Sequence, residues 1–278
     1  MPLMFNSLLM QNALDPGSVV LLRHQDQRAA RGRSPYELWR DNRPAFESYQ
    51  STQSIGNRTK LERAPVWASF VGTPGGATMF VGIYDAKYSG LLAEDKPWSH
   101  ADGIDRAGSC DLYDLRRNDR LADMEGKLFI DWGEGTRAWV QRADRQNKPI
   151  NELRLEFKEP EFPGFLNLIE PLSKVDAFPK TWIEILKHAN GVYLLTCPRT
   201  EEQYVGSAYG TEGFWHRWME YVTNGHGGNI ALKSREASDY QVSILEVAGS
   251  EAQVEDILKM EVRWKRKLQS GEMGLNRN

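Results

Sequence analysis

Gly191-Val-Tyr-Leu-Leu-Thr196, Cys197-Pro-Arg-Thr-Glu-Glu202 and Gln203-Tyr-Val-Gly206 follow one another in the last third of the chain. The outer pieces alternate and favour extended backbone, and the middle piece has turn chemistry. The stretch therefore predicts an antiparallel hairpin carrying Tyr193 and Tyr204, with ten residues between them. Taken alone, such a hairpin is common. The residues that follow it decide what fold it belongs to.

Gly213-Phe-Trp-His-Arg-Trp-Met-Glu-Tyr-Val222 has helical spacing and sets Arg217 and Tyr221 four apart, on one face. Tyr240-Gln-Val-Ser-Ile-Leu-Glu-Val247 alternates as a third strand. Ser250-Glu-Ala-Gln253 has the form of a capping box opening a second helix. That helix carries an apolar stripe on Val254, Ile257, Leu258, Trp264 and Leu268, and Glu261 falls inside the stripe. An unpaired carboxylate there would cost several kcal/mol in order of magnitude, so Glu261 needs a metal, a cationic partner or an opening to solvent. Lys265, four residues on, is the local partner in the favourable orientation. Gly274-Leu275-Asn276 closes the segment.

In this order the elements resemble the GIY-YIG nuclease family over roughly the last hundred residues. The resemblance implies an α+β domain with a small three-stranded antiparallel sheet flanked by helices, and a phosphodiester hydrolase that uses one Mg²⁺ or Mn²⁺ per active site. It implies Tyr193 as general base, with Tyr204 orienting the water or sharing that role, and Arg217 on the scissile phosphate. Tyr221 would tune the base, Glu261 would hold the metal and Asn276 would fix the site by hydrogen bonding. His216 lies about 100° round the helix from Arg217 and is at best a supporting group. His226, in a glycine loop, and Lys233 are candidate phosphate contacts. His24, His100 and His188 have no partner spacing.

Hydrolysis of DNA also needs a choice of target, and the residues in front of this segment read as a different domain. Glu159-Pro-Glu-Phe-Pro163, Pro171 and Pro179 form a punctuated joint that predicts a boundary near residue 175, hence domains 1–175 and 176–278. The first is strand-rich: Val19–Leu22, Val66–Val71, Met79–Tyr84, Lys127–Trp132, Ala138–Gln141 and Leu153–Phe157, with a hairpin loop at Gly72–Gly76. Short strands separated by turns predict a closed or half-closed barrel. Trp67–Gly72 and Phe80–Tyr84 make this part similar to PUA-like barrels, some of which read modified bases. Trp39, Tyr49, Trp67, Trp98, Trp132 and Trp139 are candidates for a flipped-base pocket as well as for a core.

A net charge of −3 excludes a generally basic nucleic-acid binder, so any DNA contact must be local. Residues 19–63 hold nine Lys/Arg against five Asp/Glu, whereas residues 181–278 hold eleven against thirteen, so the basic excess lies in front. Arg31 and Arg33 are candidate DNA contacts there, and Arg116-Arg117 with Arg120 and Arg263–Lys267 are further basic clusters. Cys110 and Cys197 have no CxxC spacing, which excludes a disulfide framework or zinc ribbon. Met1–Ala13 reads as a short amphipathic helix, no run is long enough to span a membrane, and the chain reads as cytoplasmic.

Together these features predict a DNA endonuclease of the restriction or defence kind whose N-terminal domain selects a sequence or a modified cytosine in duplex DNA, acting alone or as a homodimer. The alternatives are a DNA-binding module with an inactive nuclease fold, and a homing or repair nuclease. Glu156-Phe-Lys158 with Asp144 or Asp131 also fits half of another nuclease pattern.

Overall fold

The computed structural model describes residues 2–25, 32–133, 138–224 and 239–276. It is a mixed α+β structure that divides into two compact units, Met1–Lys158 and Glu159–Asn278.

The first unit is built on a curled eight-stranded sheet with strands β1 Val19–His24, β2 Thr52–Ser54, β3 Val66–Gly72, β4 Thr78–Leu91, β7 Cys110–Asn118, β8 Leu128–Ile130, β9 Val140–Arg142 and β10 Ile150–Leu153. Lys96–Pro97 and Ile104–Asp105 form a separate small ladder, β5 and β6. The main path runs β10-β8-β4-β3-β1-β9, and β7 pairs with both β4 and β2. The expected hairpin is present as β3 and β4, paired from Val66 with Asp85 to Gly72 with Thr78. β1 joins β3 in parallel, so both strands are covered on both faces and read as continuous apolar runs. Leu21, Phe70, Phe80 and Trp132 pack on one face; Leu22, Trp39, Phe46 and Trp67 pack on the other. The expected strand Leu153–Phe157 ends at Leu153, and Leu155 stands fully exposed.

The second unit is an antiparallel sheet of four strands, one more than expected, in the order β11-β14-β12-β13. β12 (Gly191–Thr196) and β13 (Gln203–Ala208) are the quoted hairpin, and β14 is Gln241–Val247. The added edge strand β11, Ile169–Pro171, comes from the punctuated stretch. The division consequently falls at 158/159 and not near 175, because Leu168, Leu172 and Val175 are buried in the second core. The prolines mark a strand edge and helix starts inside the unit, with Pro171 where an edge strand tolerates a missing donor.

Helices Lys180–Lys187 and Gly213–Asn224 belong to the second unit, Trp182, Leu186, Phe214 and Trp218 entering its core. The C-terminal helix is Val254–Leu268. Its cap is Gln253, whose N–H donates to Asp256 at 3.2 Å, three residues beyond the expected Ser250. Ile257 is buried, and Glu261, Trp264 and Leu268 are half-buried on the same side. Val254 and Leu258, expected inside, are exposed, because this inward face is narrower than the sequence stripe.

Candidate active site

Tyr193 lies opposite Gly206 in the β12–β13 register, with side chains on the same face. A Cβ on Gly206 would stand 2.4 Å from the Tyr193 hydroxyl oxygen, so this glycine is the space that lets the ring cross the edge strand. Gly191, at φ +153°, serves a second close approach: its Cβ would meet the Glu246 carbonyl oxygen at 2.1 Å.

The hydroxyls of Tyr193 and Tyr221 are 2.9 Å apart and hydrogen-bonded. Arg217 donates through Nε to the Tyr193 hydroxyl at 3.2 Å, and its guanidinium lies 5.2 Å from the centre of the Tyr221 ring. The Tyr204 ring is 6.4 Å from that of Tyr221. Four residues named from sequence thus meet on one face of the sheet. Glu220 was not foreseen: it pairs with Arg217 from the next turn of the same helix.

Burial pushes the Tyr193 phenol above its ordinary range, and Tyr204 adds to this, while Arg217 and Tyr221 act in the opposite direction. Tyr221 is likewise pushed well up by burial and by Tyr193. The phenolate form of the general base implied at Tyr193 is disfavoured here, because the ring is fully buried. Arg217 loses solvation, yet its pKa is raised through the two tyrosines and Glu220. Its side chain remains 30% exposed, which leaves the guanidinium open to a ligand.

Glu261 is paired with Lys265, the local alternative to the metal that the resemblance implies. Lys265 Nζ is 2.6 Å from Oε1, Ser207 donates its hydroxyl to Oε2, and the carboxylate side chain is 14% exposed. Ser207 follows Gly206, so strand alternation puts Glu261 and Tyr193 against consecutive residues of the edge strand from opposite faces. Asn276 clamps that strand: its Oδ1 accepts from the Val205 N–H and its Nδ2 donates to the Val205 carbonyl, both at 2.8 Å. Leu275 N–H adds a bond to the Gln203 carbonyl at 2.8 Å. Glu246, not foreseen, holds the C-terminal helix by accepting from Arg263 and from the Trp264 indole at 2.6 Å each. Glu246 and Ser207 flank Val192 in register, a row legible only once the strands are paired.

Among the described residues no group of three or more His, Cys, Asp or Glu is placed to hold a metal. Both Glu261 oxygens are engaged, so a hydrated divalent ion could bind there through one carboxylate oxygen only if Lys265 gave way. Ser207 fixes one oxygen, and the other faces Lys265, a third exposed on a flexible stem that can withdraw to water.

The remaining candidates are dispersed. His216 is exposed beside Glu212 at 3.4 Å. His226, Lys233 and Arg31 lie outside the described residues. Arg33 pairs with Asp41 at 3.1 Å, Arg40 with the same carboxylate at 2.7 Å, Arg43 with Glu125 at 2.9 Å and Arg58 with Asp111 at 2.5 Å. Four of the front unit's arginines are therefore held in internal ion pairs, which sequence counting cannot see. Glu156 and Lys158 pair at 3.9 Å in solvent, and Asp144 is bound by Arg142, so the second nuclease pattern forms no site. Trp39, Trp67 and Trp132 are core residues. Tyr49 and Trp98 line a cavity of about 280 Å³ with Lys96 and His100, and Trp98 already stacks on His100 at 5.3 Å. No helix among the described residues is long and apolar enough to cross a membrane.

Compared with known proteins, the chain matches no protein-family model, no curated protein and no solved structure at the threshold applied.

Proposed function

We propose that the second unit is a phosphodiester-cleaving domain of the GIY-YIG type acting on duplex DNA, and that the first unit directs it to its target. The observation that carries this reading is the Tyr193–Tyr221–Arg217 cluster, with a glycine opposite Tyr193 where any side chain would collide. A hairpin chosen for packing alone has no need of an arginine on two buried phenols.

In this reading Arg217 exchanges Glu220 for a phosphate oxygen, a charge-assisted contact that strengthens as negative charge develops. Tyr193 and Tyr221 keep their protons at neutral pH and hold the attacking water and the arginine in place by hydrogen bonding, and the water passes its proton to a non-bridging phosphate oxygen as it attacks. Tyr204 lies beside them on the same face. Glu261 approaches from the other face of β13, so a divalent ion held there would meet the phosphate around the free edge of that strand at Gly206 and Ser207, where it would neutralise phosphoryl charge and lend a water to the departing 3′ oxygen. Asn276 keeps the edge strand straight between Gln203 and Val205, ahead of Gly206 and Ser207.

A non-cleaving DNA-binding module is the second reading, favoured by the Lys265 ammonium on Glu261. One experiment separates them: nicking of supercoiled plasmid by the full chain with and without Mg²⁺, beside Glu261→Gln. Mg²⁺-dependent nicking that the variant loses supports the nuclease. No nicking by the parent chain, with duplex binding retained, supports the binding module.

A further inference from the structure

Two cations of the first unit, half-buried Arg23 and buried Lys148, share one indole. Trp132 is 4% exposed, and its indole carries Arg23, with Cζ 5.9 Å from the ring, and Lys148, with Nζ 5.0 Å away. Lys148 is 5% exposed and donates to the Trp132 carbonyl at 2.7 Å. Among the described residues neither cation has a carboxylate in contact. Arg23 Nε is buried without a hydrogen-bond partner.

Gln141 brings a second unsatisfied atom. It pairs with Leu21 in the β1–β9 register, so it shares a sheet face with Arg23, two residues on. Its Nε2 donates to the Ala138 carbonyl at 2.8 Å, while its Oε1 is buried and unpartnered. Trp132, Gln141, Arg142, Arg145 and Lys148 line an open pocket of about 590 Å³. At its rim Arg142 binds Asp144 at 2.7 Å, and Arg145, 77% exposed, stands 3.9 Å from the same carboxylate.

Loss of solvation pushes both cations down from their ordinary values; Asp131 offsets part of this for Lys148, and Arg23 adds to it. A buried ammonium beside a half-buried guanidinium whose Nε donor is unused is costly unless a ligand repays the cost. An oxyanion in the pocket does so: Lys148 lines it, the Arg23 guanidinium stands 5.9 Å from the centre of the Trp132 ring, and the rim adds two arginines against one aspartate. The free Gln141 oxygen suits a hydroxyl or amino donor beside the anion.

We propose that this pocket binds the phosphoryl group of a phosphate ester, either a backbone phosphate of nucleic acid or a free phosphate monoester. It does not depend on the nuclease reading, since all its residues lie in the first unit.

The test is calorimetric titration of the full chain, without divalent metal, with inorganic phosphate and with a short DNA duplex. Lys148→Met and Arg145→Glu are titrated in parallel, and circular dichroism checks their folding. The parent chain should bind phosphate saturably, and each folded variant should bind it at least about tenfold more weakly, as loss of one charge-assisted contact implies. Arg145→Glu, at an exposed position, keeps the test decisive if Lys148→Met does not fold. Displacement of phosphate by the duplex identifies a nucleic-acid backbone as the source; retention identifies a free ester. No saturable binding of either probe by the parent chain, or phosphate affinity unchanged in the folded variants, overturns the proposal.

Discussion

Gly206→Ala tests the geometry on which the candidate site rests. The added Cβ would lie 2.4 Å from the Tyr193 hydroxyl oxygen, 2.5 Å from Cζ and 2.9 Å from Cε2, where ordinary contact begins at 3.4 Å. The ring must retreat by about 1 Å, a shift that packed interiors resist. Trp218 and Tyr221 stand behind it, their ring centres 6.2 Å away. Such a movement breaks or stretches the bonds to Tyr221 at 2.9 Å and Arg217 at 3.2 Å. Overpacking costs about 1–3 kcal/mol, and two buried hydrogen bonds contribute roughly 1 kcal/mol each, for about 3–5 kcal/mol in all. In a Tyr193→Phe background the collision with Cζ remains but no hydroxyl bond is left to break, so the cost should fall by about 2 kcal/mol. Urea unfolding of the parent, both single variants and the double variant measures this coupling. A Gly206→Ala variant as stable as the parent, or a cycle additive within about 0.5 kcal/mol, would refute the argument.

Asn276→Ala should destabilise the second unit by about 1–3 kcal/mol and speed amide exchange at Val205, since both backbone groups of that residue lose their partner; unchanged exchange would show that the clamp does not hold the strand. Glu246→Gln should loosen the C-terminal helix from the sheet, seen as faster exchange along Val254–Leu268, because a charge-assisted pair with Arg263 becomes a neutral contact. Burial raises the pKa of Tyr193 and Tyr221 and pushes Tyr84 and Tyr113 up to about 12. The native state then keeps protons that the unfolded chain sheds above about pH 10. Stability from these groups is therefore full below about pH 10 and is lost as pH rises through the native values. Absorbance titration should show no native tyrosine ionising near neutrality, and one that did would contradict the protonated cluster.

Much of the second unit was legible because local chemistry and long-range pairing agree there. Alternation gave β12, β13 and β14, and helical spacing gave the shared face of Arg217 and Tyr221. The place of Glu261 in an apolar stripe forecast its partial burial and the need for a partner, with Lys265 as the local alternative to a metal. What stayed hidden depends on tertiary neighbours. Ser207 and Glu246 acquire roles only when a helix more than ten residues further along the chain packs on the sheet. The joint was misplaced because prolines punctuate a strand edge as readily as a linker. The front unit's arginines look available in sequence, whereas Asp41, Asp111 and Glu125 bind several of them across loops and strands.

The central claim is that Arg217, seated on two protonated tyrosines, stabilises a phosphoryl group undergoing transfer. Its most direct test is the single-turnover cleavage rate of duplex DNA with Mg²⁺ for the parent chain and Arg217→Lys, with duplex affinity and melting temperature measured alongside. Lysine keeps the charge but not the fork that bonds a phenol and a phosphate together, so the rate should fall by roughly two orders of magnitude while affinity and melting hold. Cleavage at the parent rate by Arg217→Lys, or a loss explained entirely by unfolding, would contradict the account.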